Sequence, residues 1–275
     1  MGLALGDEAL SSRLPPRLGS LFRMSANNLN GKSVFISGSS RGIGAATVKL
    51  FAEAGARVAI NYRDKEVRAQ KVAEEIRARG GEAIVLKADL TDYQTVSDAR
   101  DAIKDAYGHL DFLVLNASGG MEVGKGEDYA TRLNVDAQVN LVETMLPLLH
   151  EGSRIVFVTS HQAHFIHQAP TMPEYLPVAL SKRAGEDALR AKIPALKEKG
   201  IEFVVVSGDM IEGTVTATLL DRVSPGAIAS RKEAVGKLYN VEEFAEEIFK
   251  AANSPVPENN TVLIGDTDWF ENQAG

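Results

Sequence analysis

The chain has 275 residues, contains no cysteine and carries a formal net charge of −7. This length is enough to bury a large core, and the absence of cysteine excludes disulfides and thiolate chemistry. The acidic balance argues against nucleic acid as the main partner, and no apolar run approaches the roughly 20 residues that cross a bilayer. We therefore expect a cytoplasmic protein that acts on a small molecule, with neither nucleic acid nor a membrane as a partner.

The first 25 residues contain two adjacent prolines and three arginines, without a continuous apolar block or a cleavage site. We interpret residues 1–25 as a flexible extension or an upstream start, with Met24 as the native beginning. Asp7 and Glu8 disfavour a transit peptide, which is normally poor in acidic residues. Residues 26–275 are then expected to form one domain.

From Ser33 onward, strand-like and helix-like stretches alternate at the intervals of βαβ units. Several of the predicted strands are apolar throughout, as expected where helices cover both faces of a parallel sheet. The pattern predicts an α/β fold: a single Rossmann-type, doubly wound domain with a seven-stranded parallel sheet and helices on both faces. The predicted strands are 33–37, 57–61, 82–87, 112–115, 154–159, 201–207 and 261–264.

A glycine-rich loop with the spacing Gly38-x-x-x-Gly42-x-Gly44 follows the first predicted strand and runs directly into a helix-like stretch. Gly38 allows a sharp turn, Gly42 removes a side chain where the backbone approaches a pyrophosphate, and Gly44 lets the helix lie close to the sheet. The free N–H groups and the positive dipole end of that helix would face the phosphates. The loop therefore predicts a dinucleotide site.

Two long connections, residues 160–176 and 208–240, follow the fifth and sixth predicted strands. Both leave the carboxyl ends of strands, where ligands bind in sheets of this kind. The second is rich in threonine, glycine and small apolar residues, which is typical of a mobile lid. We expect these connections to determine the substrate.

These signals, in this order, resemble the short-chain dehydrogenase/reductase family from Gly31 to Gly265. Asp89, after the third strand, resembles the aspartate beside the adenine. The run Asn116-Ala117-Ser118-Gly119 resembles the family's Asn-Asn-Ala-Gly, although Leu115 replaces the first asparagine and Ser118 stands in the glycine place. The resemblance also implies an active site, with Asn134 on a helix, Ser160 at the end of the fifth strand and Lys182 in the sequence Ala-Leu-Ser-Lys.

The catalytic tyrosine of the family normally lies four residues before the lysine, where this chain has Val178. Tyr175 lies seven residues before Lys182, and both spacings return to the same helix face, within about 40° and 20° respectively. Pro177 favours a helix start, so Tyr175 would precede the helix. The seven-residue spacing resembles the enoyl-acyl-carrier-protein reductases of the family, and we take Tyr175 as the catalytic phenol.

The cofactor is inferred from charge at the end of the second strand. An acidic residue there favours NAD, but the sequence reads Asn61-Tyr62-Arg63. Arg63 and Arg41 are suited to bind a 2′-phosphate, which favours NADP(H); the alternative is two solvated arginines. The resemblance implies these cofactor-binding residues: Gly38, Ser40, Arg41, Gly42, Ile43, Gly44, Tyr62, Arg63, Asp89, Leu90, Asn116, Ala117, Lys182, Ile211 and Thr214.

The implied chemistry requires a hydride acceptor and a proton donor. A phenol alone is a poor acid near neutral pH, so Lys182 is expected to stabilise the phenolate of Tyr175 and to hold the nicotinamide ribose. Ser160 would donate to the developing oxyanion, and Asn134 would organise a water and proton path to the lysine.

Three histidines, His161, His164 and His167, follow the fifth strand at intervals of three residues. With no cysteine and no evident fourth ligand, we expect no metal there and place the histidines along the substrate cleft, with His161 as a spare proton donor. Asp209 and Glu212 put acidic groups near the cleft and are interpreted as helix caps of the lid.

The sequence favours an NADPH-dependent oxidoreductase that reduces the carbonyl of a small-molecule, acyl or polyketide substrate. The nearest alternative is an enoyl-thioester reductase, which the Tyr-x6-Lys spacing indicates. A catalytically inactive NADPH-binding sensor or scaffold is the third, because Val178 stands at the usual tyrosine position. Two amphipathic helices, at about 127–149 and 177–199, resemble those through which the family forms dimers and tetramers, so we expect a homo-oligomer.

Overall fold

The computed structural model describes residues 28–272 except 123, 125 and 127. The predicted extension over residues 1–25 lies outside the described residues. Seven strands form one sheet in the order β3-β2-β1-β4-β5-β6-β7, and every neighbouring pair is parallel. This confirms the predicted seven-stranded doubly wound sheet. The strands are β1 (Ser33–Ile36), β2 (Arg57–Tyr62), β3 (Ala83–Lys87), β4 (Leu110–Leu115), β5 (Leu149–Ser160), β6 (Glu202–Gly208) and β7 (Thr261–Ile264).

Helices connect these strands and cover both faces of the sheet. A five-residue π turn (Arg132–Asp136) separates α4 from α5, and a 3-10 turn (Leu146–Leu148) leads into β5. The helices are α1 (Gly42–Glu53), α2 (Glu66–Ala78), α3 (Tyr93–Tyr107), α4 (Tyr129–Thr131), α5 (Ala137–Met145), α6 (His161–His164), α7 (Leu176–Arg190), α8 (Ile193–Glu198), α9 (Val215–Val223), α10 (Ala227–Val235), α11 (Val241–Asn253) and α12 (Asp268–Glu271).

The strand residues alternate between two cores because successive side chains point to opposite faces of the sheet. In β5, Val156 and Val158 pack into a core formed with α1, α2 and α11. Ile155 and Phe157 pack into a second core formed with α3, α5 and α7. All four side chains are at least nine-tenths buried, so each face of β5 is covered. This explains why the strand is apolar without alternation.

Two predicted helices are divided in the structure. The expected helix over 127–149 is interrupted by the π turn and ends before Leu149, which already pairs with Leu110 as the first residue of β5. The expected helix over 177–199 ends at Arg190, and α8 starts at Ile193 with Pro194 in its first turn. The first of these helices therefore stops before Pro194, a residue that fits only the first turn of a helix.

Across the residues that the structure describes, we find no helix whose length and apolar character would let it cross a membrane.

Candidate active site

The predicted site residues gather at the carboxyl edge of the sheet, where two cavities adjoin. The first, here called the cleft, is lined by Ser160, Tyr175 and Lys182. The second, here called the groove, lies over the glycine loop. Ile43 and Asn116 line both, so the two cavities share a boundary. The strand order changes direction between β1 and β4, which is where such sheets bind ligands.

The deepest polar contact of the cleft joins two hydroxyl groups. Ser160 is the last residue of β5, and its Oγ lies 3.3 Å from the phenol oxygen of Tyr175. Tyr175 stands immediately before α7, and its carbonyl accepts a hydrogen bond of 2.9 Å from the backbone N–H of Ala179. Its side chain is 3 % exposed and packs against Leu220 of α9. Tyr175 is thus a buried phenol with its hydroxyl turned to a second hydroxyl.

Val178, at the usual tyrosine position, is a packing residue. It is 4 % exposed and belongs to the same apolar cluster as Tyr175. A Cβ added at Gly120 would lie 3.0 Å from Cγ2 of Val178, so this side chain fills the space beside the Gly119–Gly120 loop. Val178 is not among the residues that line the cleft. Tyr175 is the phenol that the structure places at the lining of the cleft.

Lys182 lies in the second turn of α7, is 8 % exposed and lines the cleft. The helix is held in place from behind at Gly185, where an added Cβ would lie only 2.0 Å from the carbonyl oxygen of Asn134. Any larger residue would therefore push α7 away from the π turn. The sequence reasoning missed this role, although a glycine inside a helical pattern is a signal of close packing.

Both polar atoms of the Asn134 side chain form hydrogen bonds with neighbouring residues. Its Nδ2 donates to the carbonyl of Gly119 at 2.8 Å and to Oγ of Ser181 at 2.9 Å, and its Oδ1 accepts from the N–H of Gly119 at 3.2 Å. Asn134 is 2 % exposed and is not one of the residues lining the cleft or the groove. Its amide braces the loop after β4 against α7, and its expected role in a water path stays a prediction.

The glycine loop has the shape that a phosphate cradle requires. Gly38 and Gly42 have φ values of +65° and +55°, which favour glycine. A Cβ at Gly42 would meet nothing within 4 Å, so the backbone there borders open space at the start of α1. A Cβ at Gly44 would lie 2.6 Å from the carbonyl oxygen of Gly38, so the turn and the helix touch. These residues fit a pyrophosphate at the helix N-terminus.

Four cationic side chains line the groove: Arg41, Arg63, Lys65 and Arg68. Arg63 donates to the phenol oxygen of Tyr129 at 2.6 Å and to Oδ2 of Asp64 at 2.7 Å. The hydrogen bond to Asp64 is the main reason why the pKa of Arg63 is raised. Lys65 and Arg68 were not predicted from the sequence, because only the residues at the end of the second strand were considered there.

Asn61 is a further missed residue. It is buried at the end of β2, where its Oδ1 accepts the N–H of Gly38 at 2.9 Å and its Nδ2 donates to the carbonyl of Ala88 at 3.1 Å. It thereby fixes the glycine loop to the ends of β2 and β3. A polar residue at the end of an otherwise apolar strand is the signal that would have found it.

The predicted cofactor residues fall into three groups. Lys182 and Ile211 line the cleft, while Gly44 lies beneath the loop. The others line the groove: Gly38, Ser40, Arg41, Gly42, Ile43, Tyr62, Arg63, Asp89, Leu90, Asn116, Ala117 and Thr214.

The expectation that the histidines line the cleft is wrong for His161 and His164. His161 is completely buried, and its Nδ1 lies 2.8 Å from Oγ of Ser207. Burial lowers the pKa of its imidazole to about 3, with the charges of His164 and Arg231 adding to the effect. His164 instead hydrogen-bonds the buried carboxylate of Glu186 at 2.8 Å. Neither ring is among the groups that line the cleft.

Asp209 and Glu212 hold the 208–240 segment through ion pairs instead of capping its helices. Both oxygens of Asp209 accept from Nε of Arg231, at 3.1 and 3.0 Å. Glu212 pairs with Lys232 at 2.9 Å. Since Arg231 and Lys232 are neighbours in α10, the two acids after β6 fasten that helix at two points. Its mobility as a lid stays a prediction.

Comparisons with known proteins agree with this geometry. The family model described as short chain dehydrogenase matches residues 32–223. A hydroxynaphthalene reductase-like protein, Arp2, from Metarhizium guizhouense is 34 % identical over 172 residues, which cover 60 % of this chain and 62 % of that protein. The chain thus aligns with less than two thirds of the length of that relative.

Two solved structures have the same fold. A short chain dehydrogenase from Burkholderia cenocepacia in complex with NADP is 30 % identical, with a TM-score of 0.73 over 87 % of this chain and 98 % of that one. The landomycin C-6 ketoreductase LanV, with bound NADP and rabelomycin, is 25 % identical, with a TM-score of 0.70 over 86 % of this chain and 96 % of that one.

Proposed function

Because the chain belongs to the short-chain dehydrogenase family, we propose that it is an NADPH-dependent reductase of carbonyl groups on small-molecule, acyl or polyketide substrates. The observation that carries this proposal is the hydroxyl pair of Ser160 and Tyr175, 3.3 Å apart, in a cleft that Lys182 also lines. The cleft adjoins a groove with the shape and charge for a dinucleotide phosphate.

The chain's own groups supply what carbonyl reduction needs besides hydride. The bound nicotinamide, when present, provides the hydride. A carbonyl oxygen placed between Ser160 and Tyr175 would accept a hydrogen bond from each, which stabilises the negative charge that develops on it. Tyr175 then delivers its proton to that oxygen, and the ammonium of Lys182 in the same cleft stabilises the phenolate left behind. Tyr175 is 3 % exposed, which keeps bulk water from competing for the proton.

The choice of NADP(H) over NAD(H) is supported by charge. Arg41 is exposed at the N-terminal end of α1, and Arg63 lies at the end of β2, both on the groove. Guanidinium groups bind phosphate oxygens through paired hydrogen bonds, and the ribose 2′-phosphate is the group that distinguishes NADP. NADP is also the cofactor named for the Burkholderia cenocepacia structure and for LanV.

Carbonyl reduction is also favoured by the relatives. LanV is a ketoreductase, and Arp2 is described as hydroxynaphthalene reductase-like. The second candidate, enoyl-thioester reduction, is favoured by the seven-residue spacing between Tyr175 and Lys182. A catalytically inactive sensor is disfavoured, because binding NADPH alone does not require two hydroxyl groups 3.3 Å apart in the cleft.

One assay separates these candidates. Purified protein is mixed with NADPH and, in separate reactions, with ketones, quinone-like polyketides and enoyl thioesters, and NADPH oxidation is followed by absorbance. We expect turnover with at least one ketone or quinone and none with the enoyl thioesters. Turnover confined to enoyl thioesters would replace the proposal with its alternative, and tight NADPH binding without any turnover would favour the sensor.

We also propose that the protein is a cytoplasmic homo-oligomer, a dimer or tetramer. The support is that Leu176 and Leu180, one helical turn apart on α7, are 41 % and 46 % exposed. Light scattering of the purified protein tests the oligomeric state. A monomer at micromolar concentration would contradict it.

A further inference from the structure

A cluster of metal-ligating side chains lies at the edge of the sheet opposite the active site. His109 directly precedes β4, Asp111 is the second residue of β4, and His150 is the second residue of β5. Leu110 and Leu149 pair across the two strands, and the register shifts directly after them. The distance of 3.4 Å from Nε2 of His150 to Oδ1 of Asp111 shows that these two residues are neighbours. The cluster is therefore built by the starts of two parallel strands, far from the cleft at their carboxyl ends.

The ligand atoms of this cluster lie close enough together for small side-chain movements to bring them onto one metal ion. Nε2 of His109 lies 3.2 Å from Oδ2 of Asp111, and Nε2 of His150 lies 3.4 Å from Oδ1 of the same carboxylate. One atom from each residue falls within 4.8 Å of the other two. Two ligands that each lie about 2.0–2.1 Å from a tetrahedral zinc ion are themselves separated by roughly 3.3–3.4 Å. Two of the observed spacings are close to this value, and they end on different oxygens of Asp111. The two partly exposed histidine rings must therefore move closer together to bring all three ligand atoms onto one ion.

The hydrogen bonding of His150 prepares it as a ligand. Its Nδ1 lies 2.8 Å from the carbonyl oxygen of Glu151, which acts only as an acceptor, so Nδ1 carries the hydrogen. In a neutral ring Nε2 then holds its lone pair toward Asp111. Ligating histidines commonly have this arrangement, in which a carbonyl fixes the ring through the other nitrogen. Two electron-rich atoms 3.4 Å apart are compatible when a cation lies between them.

The carboxylate is held in place independently of the histidines. Asp111 is 4 % exposed, and its Oδ2 accepts the backbone N–H of Ser33 at 2.9 Å. Its Oδ1 accepts from Nζ of Lys32 at 2.8 Å. The side chain of Lys32 is 49 % exposed, so its ammonium can turn into solvent and give up this place. The ammonium of Lys32 would thus compete with a metal ion for Oδ1 of Asp111.

We propose that His109, Asp111 and His150 form a binding site for a divalent transition-metal ion, with zinc as the ion best suited to two imidazoles and one carboxylate. A water molecule would complete the four ligands. Bound there, the ion ties the starts of β4 and β5 to each other through Asp111, whose Oδ2 also accepts the N–H of Ser33 at the start of β1. It therefore stabilises the fold and takes no part in the reaction at the opposite edge. This proposal is independent of the proposed function.

Zinc binding to the tag-free protein, measured by calorimetry at neutral pH, tests the site. We expect one zinc ion per chain, and we expect His150→Ala to weaken binding by at least about tenfold. Lys32→Met should tighten binding, because it removes the competing ammonium. His167→Ala, at an exposed histidine outside the cluster, should leave the affinity unchanged. A thermal melt without zinc shows whether each variant is folded.

The melting temperature gives a second readout that does not depend on enzymatic activity. Zinc at about ten times its Kd should raise Tm by roughly 3–6 °C in the wild type and not in His150→Ala. NADPH oxidation should be the same with and without zinc. Absence of stoichiometric binding, equal affinity of wild type and His150→Ala, or weaker binding by Lys32→Met would each overturn the proposal.

Discussion

The phenol oxygen of Tyr175 and Oγ of Ser160 lie 3.3 Å apart, although one residue precedes a helix and the other ends a strand. If Tyr175 were part of a regular helix, its place seven residues before Lys182 would put the two Cα atoms about 10.5 Å apart along the axis, against roughly 6 Å for the usual spacing of four. Tyr175 stands directly before α7 with helical backbone angles, and its carbonyl accepts from Ala179, so the longer axial distance applies to it. Its phenol nevertheless reaches Ser160. A different sequence spacing can therefore still bring the phenol to the serine.

The first prediction concerns this phenol. Tyr175→Phe removes the proton donor and leaves the ring packing intact, so kcat should fall by about 10²–10⁴-fold while the Kd of NADPH changes less than about threefold. Steady-state kinetics and fluorescence titration measure the two quantities. Tyr93→Phe, at a tyrosine that is 56 % exposed on α3, is the matched control and should behave as wild type. Unchanged turnover of Tyr175→Phe would remove this residue from the mechanism.

The second prediction concerns the arginines of the groove. Hydrogen bonds to a charged group contribute about 1.5–3 kcal/mol, so Arg41→Ala and Arg63→Ala should each raise the Kd of NADPH by roughly tenfold to hundredfold. The Kd of NADH should change little, because NADH has no 2′-phosphate. Arg100→Ala, on α3 and outside the groove-lining set, serves as the control. Equal losses for both cofactors would contradict a 2′-phosphate site.

Asp64 allows the same idea to be tested in the opposite direction. Its carboxylate accepts from Nε of Arg63 at 2.7 Å and so competes with a phosphate for that guanidinium. Asp64→Asn should therefore lower the Kd of NADPH and leave that of NADH nearly constant. A fluorescence titration with each cofactor decides the point, and weaker NADPH binding by this variant would count against Arg63 as the phosphate ligand.

The third prediction concerns the attachment of α10. Asp209 has 6 % of its side chain exposed and Arg231 has 16 %, so Arg231→Met leaves a buried carboxylate without its guanidinium. Breaking a buried pair in this way costs about 3–5 kcal/mol. Amide hydrogen exchange should accelerate across α9 and α10, and KM for the substrate should rise. Lys232→Met is the matched control, because it breaks the adjacent pair with Glu212, whose side chains are 50 % and 33 % exposed. This change should cost less than about 1 kcal/mol. Equal exchange in both variants would contradict the inferred anchoring.

The sequence predicted the sheet well because each strand carries its own signal. Apolar, β-branched runs between turn residues predict the number of strands, and the glycine spacing predicts where the first helix starts. The seven-residue spacing likewise singled out Tyr175, whose hydroxyl the structure places beside Ser160. Its catalytic role stays a prediction.

What the sequence could not predict depends on which way a side chain points. His161 follows Ser160 directly, so chain proximity placed both in the cleft. His161, however, begins α6, and its ring is buried against Ser207, Phe165 and Phe270. The amide of Asn134 contacts Gly119 and Ser181, which lie 15 and 47 residues away in the sequence. Such partners become visible only when the fold brings them together.

The last prediction follows from the burial of His161. Its pKa is lowered to about 3 in the folded protein, chiefly by burial and further by the charges of His164 and Arg231. The pKa of an unfolded histidine is near 6.5. Between about pH 6.5 and pH 3, the imidazole therefore binds a proton in the unfolded chain but not in the folded chain. The contribution of His161 to stability is therefore complete above about pH 6.5. It is lost at about 1.4 kcal/mol per pH unit as the pH falls toward 3.

His161→Asn isolates this effect, because asparagine can still hydrogen-bond Oγ of Ser207 and does not titrate. Near pH 7.5 the variant should be less stable than wild type, since it loses the ring contacts with Phe165 and Phe270. As the pH falls below about 6, the difference in unfolding free energy should shrink by roughly 1.4 kcal/mol per unit, as measured by urea unfolding. His167→Asn, at an exposed histidine, should keep the wild-type slope. Parallel pH profiles for wild type and His161→Asn would show that the buried imidazole is not what makes the protein acid-sensitive.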